Sequence, residues 1–219
     1  MADIKKAPFR ADHVGSLLRP QELLRARERR QSGELSAAAL RQIEDHCIRD
    51  VVKMQEDIGL QSISDGEYRR TNWHADFLRQ FDGVTVKEGV AETGAVARRF
   101  QSGEKEIERS PTRFEITGGL KRSRGIETDN FKYLASVTKQ TPKVCIPSPT
   151  MLHMRGGRDA IDRHAYPDME SFYADLARVY REEIHALAGL GCTYLQLDVM
   201  RRVVRVNSRT PRCFSRSVT

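Results

Sequence analysis

Residues 58–67 read IGLQSISDGE and residues 190–198 read LGCTYLQLD. Each stretch starts where an amphipathic helix stops at a glycine, passes through a short strand-like run, and ends on an acid. Helix-then-strand units with short links predict a parallel α/β architecture. Such sheets gather their chemistry at the C-terminal ends of the strands. Asp65, Glu67 and Asp198 take that position. Ser148 takes it too, at the end of a third run, Lys143–Ile146.

Working outward, Pro20 is placed to open a helix through Leu23, Leu24 and Arg27, with Gly33 as its stop. Ser36 reads as the N-cap of a longer helix. Its apolar residues Leu40, Ile43, Cys47, Val51, Met54 and Ile58 recur at three and four and predict one buried stripe. A helix is expected over 72–81, with Trp73, Phe77, Leu78 and Phe81 inward. Residues 84–113 read as a hairpin or long excursion, and Phe114–Thr117 as a short strand ended by Gly118 and Gly119. Further helices are expected over 129–137 and after Asp168, the latter burying Phe172, Leu176, Val179, Tyr180, Ile184 and Leu187.

The chain has 219 residues, 39% of them hydrophobic, which suits a globular protein with a real core. No run approaches the roughly 20 apolar residues of a membrane span, and residues 1–13 carry no apolar signal region. No membrane partner is therefore expected. Cys47, Cys145, Cys192 and Cys213 are scattered without a C-x-x-C pair, which predicts free thiols in a reducing cytoplasm. The net charge of +7 owes all but one unit to six arginines in 199–219, a segment without an acid. The body is nearly neutral, so no nucleic-acid partner is expected.

Four constellations carry candidate chemistry. Gly15 and Ser16, within RADHVGS, can leave backbone N–H groups for a carboxylate, or form an ordinary loop. In DGEYRR with its nearby WH, Asp65 and Glu67 can hold an ammonium and Arg69 can pair with a carboxylate, against the alternative of a solvated turn. The prolines around Ser148 either shape a pocket or make a plain loop. Asp198 either acts in a site or caps the next helix. No P-loop, G-x-G-x-x-G turn, H-E-x-x-H helix or G-x-S-x-G elbow is present.

In this order, FRADHVGSLLRP, SDGEYRR with WHADFL, IPSPTMLH and GCTYLQLD resemble the catalytic domain of cobalamin-independent methionine synthase, and more closely its single-barrel bacterial members. The resemblance covers about residues 7–198. It implies a (β/α)8 TIM barrel and an S-methyltransferase that moves a methyl group from 5-methyltetrahydrofolate to homocysteine, giving methionine. It also implies a zinc ion that binds the acceptor sulfur as thiolate. By match, Gly15 and Ser16 correspond to the turn holding the amino-acid carboxylate. Glu67 and Asp198 correspond to acids at its ammonium, and Ser148 to the folate-side pocket. His13, Asp65, Arg69 and Trp73 correspond to pocket walls. Other transferases or lyases of the superfamily acting on a thiol or small organic acid, and a non-catalytic binding fragment, are the alternatives.

The family's zinc ligands, an H-x-C pair with a later glutamate and cysteine, find no counterpart after Asp198. The expectation is a barrel with about its first five βα units, over 1–198, followed by an aberrant, disordered Arg-rich tail over 199–219. A frameshift or truncation explains that pattern, and a genuine short paralogue is the alternative. No zinc site, and negligible methyl transfer by this chain alone, are expected.

Overall fold

The computed structural model describes residues 11–87, 98–102, 105–109, 113–154 and 156–198. The expected basic tail and Cys213 lie outside the described residues.

Three strands, β1 (Ser62–Ile63), β6 (Thr141–Pro147) and β7 (Tyr194–Asp198), pair in parallel in the order β1-β6-β7. Each is entered from a helix: α2 (Ala37–Asp57), α4 (Thr128–Val137) and α5 (Met169–Gly189) respectively. The mixed α/β class with a parallel sheet thus stands as the two repeated stretches imply. Among the described residues three parallel strands are present, where about five βα units were expected.

The difference lies in residues 82–121. There β2 (Asp82–Lys87) pairs antiparallel with β5 (Arg113–Lys121), and β3 (Arg98–Ser102) pairs antiparallel with β4 (Lys105–Arg109). Gly118 and Gly119 do not end the strand at Thr117. The strand runs on through them to Lys121, and Gly83, at φ +82°, packs so close that a β-carbon there would meet their carbonyl oxygens at 2.7 and 2.8 Å. The register shift between Asp82 and Val84 marks this bulge.

The first helix, α1 (Gln21–Gln31), and α2 follow the expected caps, and the Ser36 hydroxyl accepts from the Ala39 N–H. The buried face of α2 is rotated from the predicted stripe: Glu44, Cys47, Ile48, Val51, Val52 and Gln55 are buried, while Met54 and Ile58 are exposed. Gln55 sets that rotation. Its amide exchanges two hydrogen bonds with the Ser64 backbone, at 2.9 and 3.0 Å, and so ties α2 to the end of β1.

The helix expected over 72–81 shrinks to α3 (Ala75–Leu78). Asn72 Oδ1 accepts the N–H groups of His74 and Ala75, and Asp76 Oδ2 those of Thr71 and Asn72, so local side-chain bonds replace helical ones. Phe77, Leu78 and Phe81 are buried as predicted, and Trp73 is half-buried. On α5, Ile184 is only half-buried and Glu183 is fully buried beside it.

Candidate functional site

Residues two apart on a strand share a face. One face of the parallel sheet therefore carries Ser62 with Ser64, Lys143 with Cys145, and Tyr194 with Gln196 and Asp198. The segment Asp12–Ser16 runs along that face. At its lower end Asp12 accepts from Ser62 Oγ (2.5 Å), Lys143 Nζ (3.0 and 3.1 Å) and Tyr194 Oη (2.5 Å). Lys143 Nζ also donates to the His13 carbonyl. Burial acts to raise the Asp12 pKa, but these donors outweigh it and hold the carboxyl well below its usual range.

Higher on the same face, the Val14 carbonyl accepts from Cys145 Sγ (2.8 Å) and Gln196 Nε2 (3.1 Å), and the Gly15 carbonyl from Ser64 Oγ (2.6 Å). Gly15 has φ +129°, a conformation that glycine adopts without strain. The Leu17 N–H then reaches the Gly66 carbonyl at 3.1 Å, which joins this segment to the loop after β1.

That loop presents Glu67 in a left-handed conformation, φ +56°. Non-glycine residues seldom accept this without a reason. Here the Asp65 carboxylate takes the Glu67 N–H at 2.9 Å and fixes the turn. The Glu67 side chain is buried, and its Oε2 has no hydrogen-bond partner among the described residues. Burial raises its pKa; Arg70 opposes the rise, the charges of Asp65 and Asp198 add to it, and the carboxyl is pushed up to about 7.

Glu67 opens into a cleft of about 530 Å3 lined by Val14, Ser16, Trp73, Gln196, Leu197 and Asp198 as well. The cleft is thus an apolar wall of Val14, Trp73 and Leu197 facing two carboxylates from different strand ends. Such an arrangement binds one cation with an apolar flank.

Of the residues singled out from the sequence, Gly15, Ser16, Glu67 and Asp198 come together here, with Trp73 as a wall. Ser148 is adjacent through its backbone, since its N–H donates to the Asp198 carbonyl at 2.8 Å. Its hydroxyl is occupied with Thr150 at the start of the 3-10 turn Pro149–Leu152. His13 and Asp65 lie behind the cleft rather than on it: His13 beside the Lys143 contact, Asp65 under the Glu67 turn. Arg69 points away. It pairs with Asp45 (2.7 Å) and Glu44 (3.6 Å) and lies 4.8 Å over the Tyr133 ring.

Sequence reasoning passed over Asp12, Lys143, Cys145 and Gln196. The alternation in KVCI and YLQLD put all but Asp12 on one face, and that was the available signal.

Glu67, Cys145 and Asp198 bring ligating atoms within 4.8 Å of one another, the one such group among the described residues. The set does not fit a zinc–thiolate centre. Burial pushes the Cys145 thiol up, with Asp198 adding to the rise. The thiol also donates to the Val14 carbonyl and packs against Gly15, so the chain's own backbone already occupies it. No helix among the described residues is long and apolar enough to cross a membrane.

Residues 9–206 match the family described as cobalamin-independent synthase, catalytic domain. The uncharacterized protein YxjH of Bacillus subtilis is 39% identical over 200 residues, covering 89% of this chain and 48% of that protein. A 5-methyltetrahydropteroyltriglutamate–homocysteine methyltransferase of Trichodesmium erythraeum is 28% identical over 89% of this chain and 24% of its own length. Among solved structures, a Listeria monocytogenes protein assigned as a vitamin B12-independent methionine synthase superposes with a TM-score of 0.69 at 38% identity, over 88% of this chain and 52% of that one. The chain spans about half the length of the Bacillus and Listeria relatives.

Proposed function

This chain belongs to the cobalamin-independent synthase catalytic-domain family, and on that premise we propose that its cleft binds the amino-acid end of homocysteine, for S-methylation by a methyltetrahydrofolate donor in the cytoplasm. One observation carries the reading. Glu67 and Asp198 face a single apolar cleft, and a buried Glu67 oxygen is left without a partner. An α-ammonium group supplies the missing donors, and the thiol-bearing chain lies along Val14, Trp73 and Leu197. The turn at Gly15 and Ser16 receives the carboxylate, and the Ser148 side of the cleft faces the donor.

In this reading the residues' work is binding and orientation. With Glu67 ionised, the ammonium is taken out of water against two carboxylates, which fixes the amino acid so that its sulfur has one direction to point. The zinc that the family resemblance implies would supply the thiolate. Glu67, Cys145 and Asp198 do not fit such a centre, and the part of the two acids is to hold the amino acid.

Trp73 is the only tryptophan in the chain, so its fluorescence reports on the cleft directly. L-homocysteine and L-methionine are expected to change it saturably at pH 8, and the deaminated acid of methionine to do so only weakly. A wild-type chain indifferent to both amino acids would overturn the reading.

A further inference from the structure

We propose that Glu127, which does not line the cleft, is a positioning residue that acts through Arg70 to keep the Glu67 carboxylate open to a ligand cation. The inference rests on the ammonium-binding reading of Glu67.

Arg70 is buried between two carboxylates and is shared unequally. Its Nη2 lies 3.1 Å from Glu127 Oε1, whereas its Nη1 is 3.6 Å from Glu67 Oε1, beyond hydrogen-bond distance. Its remaining reach goes to carbonyl oxygens, those of Cys145 (2.5 Å) and Trp73 (3.4 Å). Arg19 and Arg27, the other cations on this loop, are occupied with its carbonyls, Arg19 with those of Glu67 and Arg70 and Arg27 with those of Tyr68 and Arg70. The guanidinium thus leans toward Glu127, and Glu67 keeps an oxygen unpaired.

Glu127 is held where it can compete. Its Oε2 accepts from Asn130 Nδ2 at 2.8 Å. Its N–H donates at 2.7 Å to Glu183 Oε1, and Glu183 is fully buried on α5 and anchored by Arg122 Nε at 2.6 Å. A line of charges therefore runs from α5 to the cleft: Arg122, Glu183, Glu127, Arg70, Glu67. The other groups facing Glu67 are Asp65 on its own loop, Cys145 on β6 and Asp198 on β7; Asp65 also faces Glu127. None of them is a cation that could replace Arg70.

Without the Glu127 charge, Arg70 closes on Glu67 and favours its ionised form. The Glu67 carboxyl, up at about 7 in the intact protein, then titrates lower. Ammonium binding, which requires ionised Glu67, should consequently begin at lower pH. It should also be weaker at its alkaline plateau, because the carboxylate is already paired.

The test is the pH dependence of L-methionine binding to the full chain, read by Trp73 fluorescence between pH 5 and 9. The wild-type midpoint is expected near 7, with E127Q lower by about one unit. E127D keeps the charge on a shorter arm and should shift in the same direction by less. D175N, on α5 but outside this line because Asp175 pairs with Tyr166 and Arg178, is the packing control; it should lower the melting temperature and leave the midpoint in place. An unmoved or raised midpoint in the Glu127 variants, or an equal shift in D175N, would sink the proposal. If the wild-type chain does not bind methionine, the ammonium reading fails separately. The Glu127 inference is then read without ligand, from the carboxyl 13C resonance of Glu67 in the same variants, assigned by its loss in E67Q.

Discussion

The Sγ of Cys145 occupies the space a β-carbon on Gly15 would need: built there, that carbon stands 2.4 Å from the sulfur. The backbone at Gly15 is also at φ +129°. G15A should therefore lose about 3 kcal/mol of stability, from backbone strain and overpacking together. Adding C145A removes the collision and leaves the strain, so the double variant should recover part of the loss in urea unfolding. Full recovery would show that the backbone angle costs nothing.

Glu67 makes the site expensive in a pH-dependent way. Its pKa rises from about 4.5 to about 7 on folding. Its contribution is fully present below pH 4.5 and is lost as pH rises through 7. At about 1.4 kcal/mol per unit the loss is at most about 3.5 kcal/mol. E67Q should accordingly unfold at higher denaturant than wild type at pH 8, match it at pH 4.5, and bind no amino acid at either. A variant less stable than wild type at pH 8 would contradict this.

Lys143 has no exposed side-chain surface and, among the described residues, one carboxylate partner, Asp12. D12A strands a buried charge and should cost about 3 kcal/mol, with D12N less damaging because the amide keeps an acceptor. The wild-type pairing weakens with acid: since the Asp12 pKa is lowered on folding, its stabilisation is present above the unfolded value and lost as pH falls through the folded one. Denaturation midpoints of the two variants at neutral pH check the ranking.

Glu183 accepts the Ile126 and Glu127 N–H groups and the Arg122 guanidinium. E183A leaves these donors buried without a partner, and a loss of about 3 kcal/mol is expected. Hydrogen exchange should localise the damage to the start of α4. Protection that falls uniformly instead would mean that Glu183 supports the whole core rather than this junction.

The parallel sheet was legible because its signal is local: IGLQSISDGE and LGCTYLQLD each carry helix stop, strand and terminal acid in about ten residues. The association of Gly15, Ser16, Glu67 and Asp198 came from the resemblance, not from periodicity. The rotated face of α2 was not legible, since Gln55 is buried only because the Ser64 backbone, nine residues on, needs its amide. Nor was β5, because Gly118 and Gly119 read as terminators until Gly83 is laid against them. Arg69 and Arg70 are neighbours in sequence with opposite destinations, and nothing in the dipeptide says which one enters the site.

The lower end of the inner face has a consequence for how the chain is assembled. Asp12 finds its partners 50, 131 and 182 residues further along, in Ser62, Lys143 and Tyr194. During synthesis this segment emerges well before β6 and β7, and its set of contacts is complete only when the last described strand has arrived. Closure of such distant contacts is slow. The polar face of β1 and β6 must therefore wait, wet and unlatched, and the final turn of the latch belongs to Tyr194.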